Sequence, residues 1–146
     1  ATVTAEGRAR ALMRAKARAE ATYNRMVAAV AEASGLDRAR AERALFTATC
    51  MLCRRLTTEE AQDLIAQLPS LLRRGLDDCL GRPDRAVTAQ AISGELARTL
   101  GLTAAEAGKV LRAVFEVIAR SVSAGQIEEV RGQLPEEMKA LFPARE

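Results

Sequence analysis

The sequence predicts an all-α protein, a compact bundle of two tandemly duplicated helical units preceded by an N-terminal helical extension. Three observations lead there. The chain has only three Phe, one Tyr and no Trp among 49% hydrophobic residues, so its core must be built from Ala, Leu, Val, Ile and Met, which suits close helix packing better than a sheet sandwich. Apolar residues recur at helical spacing between cap signals. Finally, the sequence matches itself without a gap at an offset of 66 residues. Gly35-Leu36 falls on Gly101-Leu102, Leu45 on Leu111, Arg54 on Arg120, and Gln67-Leu68-Pro69 on Gln133-Leu134-Pro135. Such internal self-similarity is expected of a duplicated supersecondary unit.

Residues 1–21 form a basic Ala/Arg-rich arm. Alanines at 9, 11, 15, 17, 19 and 21 favour a helix, and Arg10, Arg14 and Arg18, four apart, place three guanidinium groups on one stripe. Leu12 and Met13 offer only a narrow apolar handle. The first repeat spans residues 22–80. Its opening helix, around Tyr23, Met26, Val27 and Val30, stops at Gly35. Asp37 caps a long helix over Ala39 to Arg55. Thr57 with Glu60 predicts a capping box for a short helix bearing Leu64 and Ile65. Pro69 then opens a last helix ending near Cys79-Leu80-Gly81. Residues 81–87, with Pro83, read as a linker.

The second repeat, residues 88–142, follows the same logic. A helix from about Thr88 to Leu100 ends at Gly101. Thr103 and Glu106 make a second capping-box pattern ahead of a helix extending to about Arg120. That helix carries Val110, Leu111, Val114, Phe115, Val117 and Ile118, an apolar surface broad enough to predict the central, most buried element. Ser123 caps a short helix holding Ile127 and Val130, and Pro135 with Glu136 and Glu137 opens the last one. Residues 143–146 are a tail.

The combination of Gly-Leu before each capped helix, Leu-Thr-Thr-Glu-Glu at 56–60 or Ser-Val-Ser-Ala-Gly-Gln at 121–126, and Gln-Leu-Pro some ten residues later resembles the bacterial family called domain of unknown function 2267. The run Gly132-Gln133-Leu134-Pro135-Glu136-Glu137-Met138-Lys139-Ala140-Leu141-Phe142 is especially similar to that family's closing signature. The resemblance covers roughly residues 22–142. It implies a small helical protein and brings neither an activity nor catalytic residues. The basic arm departs from the family pattern.

Charge and cysteine usage narrow the function classes. Residues 1–30 are net +4, residues 31–88 balance nine charges against nine, and residues 89–146 come to −1, so the basic character belongs to the N-terminal part. The chain has no His, which removes the commonest general base, zinc ligand and pH switch. No apolar run is long enough to cross a membrane. An odd set of Cys50, Cys53 and Cys79, with no apolar signal segment, leads to the expectation of reduced thiols in the cytoplasm.

Candidate sites are few. Cys50 and Cys53 have Cys-x-x-Cys spacing, a possible redox pair, but lie inside a helix where packing explains them as well. Arg54 and Arg120 coincide in the two repeats, as do Asp63 and Glu129. They read as structural salt bridges, with an anion-binding pocket as the sharper alternative. Gln67 and Gln133 precede Leu-Pro and could serve the backbone at the coming helix start. Arg10, Arg14 and Arg18 are candidate phosphate contacts. No cofactor, metal site or catalytic residue is expected. The function expected first is a non-enzymatic helical interaction or structural module with a protein partner or its own dimer. A nucleic-acid-associated protein binding through the arm, and a small-molecule, anion or thiol-redox site, are the alternatives.

Overall fold

The computed structural model describes residues 4–81 and 83–143. The arm's first three residues, the linker's Arg82 and all of the tail but Pro143 lie outside the described residues. The chain is all-helical: α1 (Ala5–Ser34), α2 (Arg38–Arg55), α3 (Thr58–Ala66), α4 (Ser70–Arg73), a 3-10 helix (Leu76–Cys79), α5 (Ala89–Leu100), α6 (Ala104–Ser121), α7 (Ala124–Gly132) and α8 (Glu136–Lys139). The bounds of α2, α3 and α4 recur in α6, α7 and α8 at the offset of 66 seen in the sequence.

Caps set those bounds. Asp37, Thr57, Thr88, Thr103 and Ser123 each accept from the backbone amide three residues on, satisfying a donor that the helix leaves open. Gly35 and Gly101 close α1 and α5 at φ 79° and 68°, a left-handed turn that costs a side-chain-bearing residue about 1 kcal/mol or more. Thr103 and Glu106 form the full capping box, each side chain bound to the other's backbone. Thr57 and Glu60 form half of one, because Glu60 does not return to the Thr57 amide.

Two local expectations change. Pro69 and Pro135 sit at the N-cap, one position before the first helical residue. The last helix of the first half does not run to Gly81 but breaks at Gly75, in a left-handed turn with φ 84°, and resumes as the 3-10 helix. The arm and the first repeat's opening segment, read separately in the sequence, are one unbroken helix of 30 residues.

One apolar cluster runs from Met26 to Phe142 and takes residues from both halves. As the sequence predicts, α6 is central and packs against α1, α2 and α5. Val114, Phe115 and Ile118 are fully buried, and the Phe115 and Phe142 rings meet at 4.8 Å between centroids. The linker is tied to the body, since the Asp84 amide donates to the Arg54 carbonyl (2.8 Å) and the Thr58 hydroxyl to the Gly81 carbonyl (2.8 Å).

Cys50 is bonded to Cys79, joining α2 to the 3-10 helix, where the sequence led to an expectation of reduced thiols. The bond is out of reach of sequence reasoning because the chain reversal at Gly75 is what returns Cys79 to α2. Cys53 is buried and unbonded.

Candidate functional site

Helix α1 has two unlike parts. Its buried residues are Met26, Val27 and Val30. From Thr4 to Ala21 every residue is exposed except Gly7 and Ala19, which are half-buried. Leu12 and Met13 are 71% and 70% exposed. A helix rises about 1.5 Å per residue, so roughly 25 Å of α1 projects beyond the body. It is helical because alanine and arginine favour the helix and because its C-terminal half is anchored by packing. Thr4 caps its start by accepting from the Gly7 amide at 2.9 Å.

This projection holds the chain's net charge. Five basic residues, Arg8, Arg10, Arg14, Lys16 and Arg18, stand against Glu6 and Glu20, which equals the +3 of the whole sequence. The body is therefore neutral. Arg10, Arg14 and Arg18 are all exposed, and Arg25, seven residues after Arg18, continues their face onto the body. There α1 and α6 flank an open groove of about 300 Å³ lined by Thr22, Arg25, Met26, Ala29, Val117, Arg120 and Ser121. Arg25 donates to the Thr22 hydroxyl at 3.2 Å. Arg120 is ion-paired with Glu116 one turn back on α6; both side chains face solvent, so the pair adds little stability.

The expected pairs of Arg54 with Asp63 and Arg120 with Glu129 do not form. Arg120 finds a nearer acid on its own helix. Arg54 lies on a different groove, also about 300 Å³, with Phe46, Cys50, Met51 and Glu95. The two arginines share no pocket, so they do not make one anion site.

Asp63 and Glu129 instead lie beside Glu60, where α3 packs on α7. The carboxylate oxygens of the three fall within 4.8 Å of one another. A cation could reach all three, yet Asp63 and Glu129 are exposed, and Glu60 already accepts from Gln126 Nε2. Burial pushes the Glu60 carboxyl above the ordinary carboxylate value, Gln126 opposes the shift, and the charges of Glu129 and Asp63 add to it.

Gln67 and Gln133 serve not the coming helix but the opposite half. The Ser123 amide donates to Gln67 Oε1 at 2.7 Å, and the Thr57 amide donates to Gln133 Oε1 at 2.9 Å. Gln67 Nε2 also donates to Gln126 Oε1 at 3.2 Å, and Gln133 Nε2 to the Thr57 hydroxyl at 3.1 Å. The exchange is reciprocal, and Glu60 and Gln126, in direct contact, are themselves 66 apart. This is a joint between halves, built on Gln67 and Gln133, which recur in the sequence and whose partners only packing could supply.

Cys50 and Cys53 do not act as a dithiol here. Cys50 is held by Cys79, and desolvation pushes the buried Cys53 thiol up to about 12, which leaves it un-ionised near neutral pH. Among the described residues no helix is long and apolar enough to cross a membrane.

A family model described as Uncharacterized conserved protein (DUF2267) matches residues 23–141. No curated protein matches the chain significantly. The family match begins where α1 meets the body and leaves the basic projection outside it.

Proposed function

The chain belongs to the family of uncharacterized conserved proteins matched over residues 23–141, and on that premise we propose that it is a non-enzymatic interaction module. Its folded body presents the basic N-terminal part of α1 to a macromolecular partner. The observation that carries this reading is the division of α1, with Met26, Val27 and Val30 buried in the body and Arg10, Leu12, Met13, Arg14 and Arg18 standing in solvent. A solvent-exposed charged helix contributes nothing to the core, so its chemistry is available for binding.

The polar groups of the body support the same reading, because their geometry serves the fold. Gln67 and Gln133 accept from the Ser123 and Thr57 amides across the α3–α7 joint, and Thr57 and Ser123 cap α3 and α7. The grooves beside Arg25 and Arg54 are open and shallow, unlike the enclosed, mostly apolar pockets that bury a small substrate. We read the body as two copies of one helical unit, supported by the shared offset of 66 in sequence, helix bounds and reciprocal bonds.

Affinity capture from extract of the source cell, with the full chain and with a chain lacking residues 4–21, tests the module. Macromolecules retained by the full chain and lost on deletion, with the body still folded by circular dichroism, are the expected result. Capture that ignores the deletion, or no macromolecule at all, refutes it.

A further inference from the structure

We propose that the projecting part of α1 and the adjoining α1–α6 groove form one track that binds the phosphate backbone of nucleic acid without sequence preference. This rests on the interaction-module reading and names its partner.

Arg10, Arg14, Arg18 and Arg25 follow at intervals of four, four and seven residues, so they share one face of a continuous helix. Four residues advance about 6 Å, and the stripe spans about 22 Å from end to end. The alignment along one line matters, because a polyanion presents its charges along a line and a folded acidic protein does not. At the body end the stripe meets Arg120 from α6, with the Thr22 and Ser121 hydroxyls between the two helices. Thr22 accepts from Arg25, and Ser121 donates to the Val117 carbonyl at 2.7 Å. Arg120 carries a competing partner, Glu116. Its contribution is therefore smaller than that of the three arm arginines.

The stripe also faces away from the core. Leu12, Ala19, Tyr23, Met26 and Val30 fall on the opposite side of the helix, the side that α1 buries once it reaches the body. A phosphate backbone can lie along the arginines without disturbing any packed residue. Planar guanidinium groups bind phosphate oxygens in pairs, and the counterions they displace supply the driving force.

The same residues argue against other occupants. A second copy docked arm to arm would bring +3 against +3. A membrane surface needs a broad apolar face, and this helix offers Leu12 and Met13 with no Trp or Phe. Residues 5–21 include no Asn or Gln to read adenine edges, and phosphate contacts carry no sequence information.

Fluorescence anisotropy with two labelled duplexes of unrelated sequence, each of about 20 base pairs, tests the proposal. The full chain should bind both alike and lose about 100-fold in affinity between about 50 and 200 mM salt, as four phosphate contacts require. The triple variant Arg10→Gln, Arg14→Gln, Arg18→Gln should lose at least tenfold at the lower salt and most of its salt dependence. Arg120→Gln should lose only a few-fold, and the pair Leu12→Ala, Met13→Ala nothing. Circular dichroism confirms that each variant is folded. Unchanged affinity in the triple variant, or no duplex binding by the full chain, overturns the proposal. So does binding to phosphatidylserine vesicles in place of DNA. If duplex binding fails while arm-dependent capture succeeds, the duplex track is wrong and the module reading stands with another partner. If capture also shows no dependence on the arm, both fail.

Discussion

Gln67 and Gln133 show how much a single amide can do when its partner lies in the other half of the molecule. Gln133 occupies the Thr57 amide that Glu60 would take in a capping box, and Gln67 the Ser123 amide that Gln126 would take, which leaves Glu60 and Gln126 to meet each other. Gln67→Ala removes the acceptor from the Ser123 amide and the donor to Gln126, so a loss of about 1 kcal/mol is expected, measured by urea unfolding at constant m-value. Gln133→Ala should cost a similar amount; no loss in either variant would mean that water replaces the joint. Glu60 supplies a pH prediction. Its carboxyl is held above the ordinary 4.5, chiefly by burial, so folding favours the protonated form. The stability gained from it is complete below 4.5 and is lost as pH rises through the raised value. Glu60→Gln keeps an acceptor for Gln126 and carries no charge. Its melting temperature should therefore exceed wild type at pH 7 and differ least at pH 4; a lower value at pH 7 would show that the ionised carboxylate is the better partner.

Among elements, the 3-10 helix depends on a covalent link. It packs on α2 and α4 and is joined to α2 through Cys50–Cys79, 29 residues apart in sequence. Closing a loop of that length restricts the unfolded chain by about 3.6 kcal/mol. Treatment with a thiol reductant, or Cys79→Ala, should lower the melting temperature by roughly 10 °C. A melting curve that reductant leaves in place would show that the link contributes nothing. Helix α1 behaves in the opposite way. Its boundary with the body is a change in burial, not a break in the helix, so it left no turn signal at residues 21–22 for the sequence to display.

For the whole molecule, the division between neutral body and basic arm predicts independence. Removal of residues 4–21 takes away no buried side chain, and the melting temperature should move by less than about 2 °C, with helical signal lost in proportion to the segment removed. A collapse in stability would mean that the arm packs on the body in solution. The binding track follows the same division, since the arm supplies Arg10, Arg14 and Arg18 and the body supplies Arg25 and Arg120.

Much of this was legible from residues alone. Local rules determined the helices, because caps such as Asp37, Thr103 and Ser123 and the glycines at 35 and 101 act over three or four residues and write their signal into neighbouring positions. The apolar breadth of residues 104–121 likewise placed α6 at the centre. The sequence also showed which residues recur at an offset of 66, though not what they touch. Only tertiary structure decided that Gln67 reaches Ser123 and not the helix beside it, that Cys50 pairs with Cys79 and not Cys53, and that Arg120 lies across one groove from Arg25. Those pairings join residues distant in sequence. Each depends on where whole helices lie, which is set by the summed burial of the core and leaves no trace in the spacing of the residues it brings together.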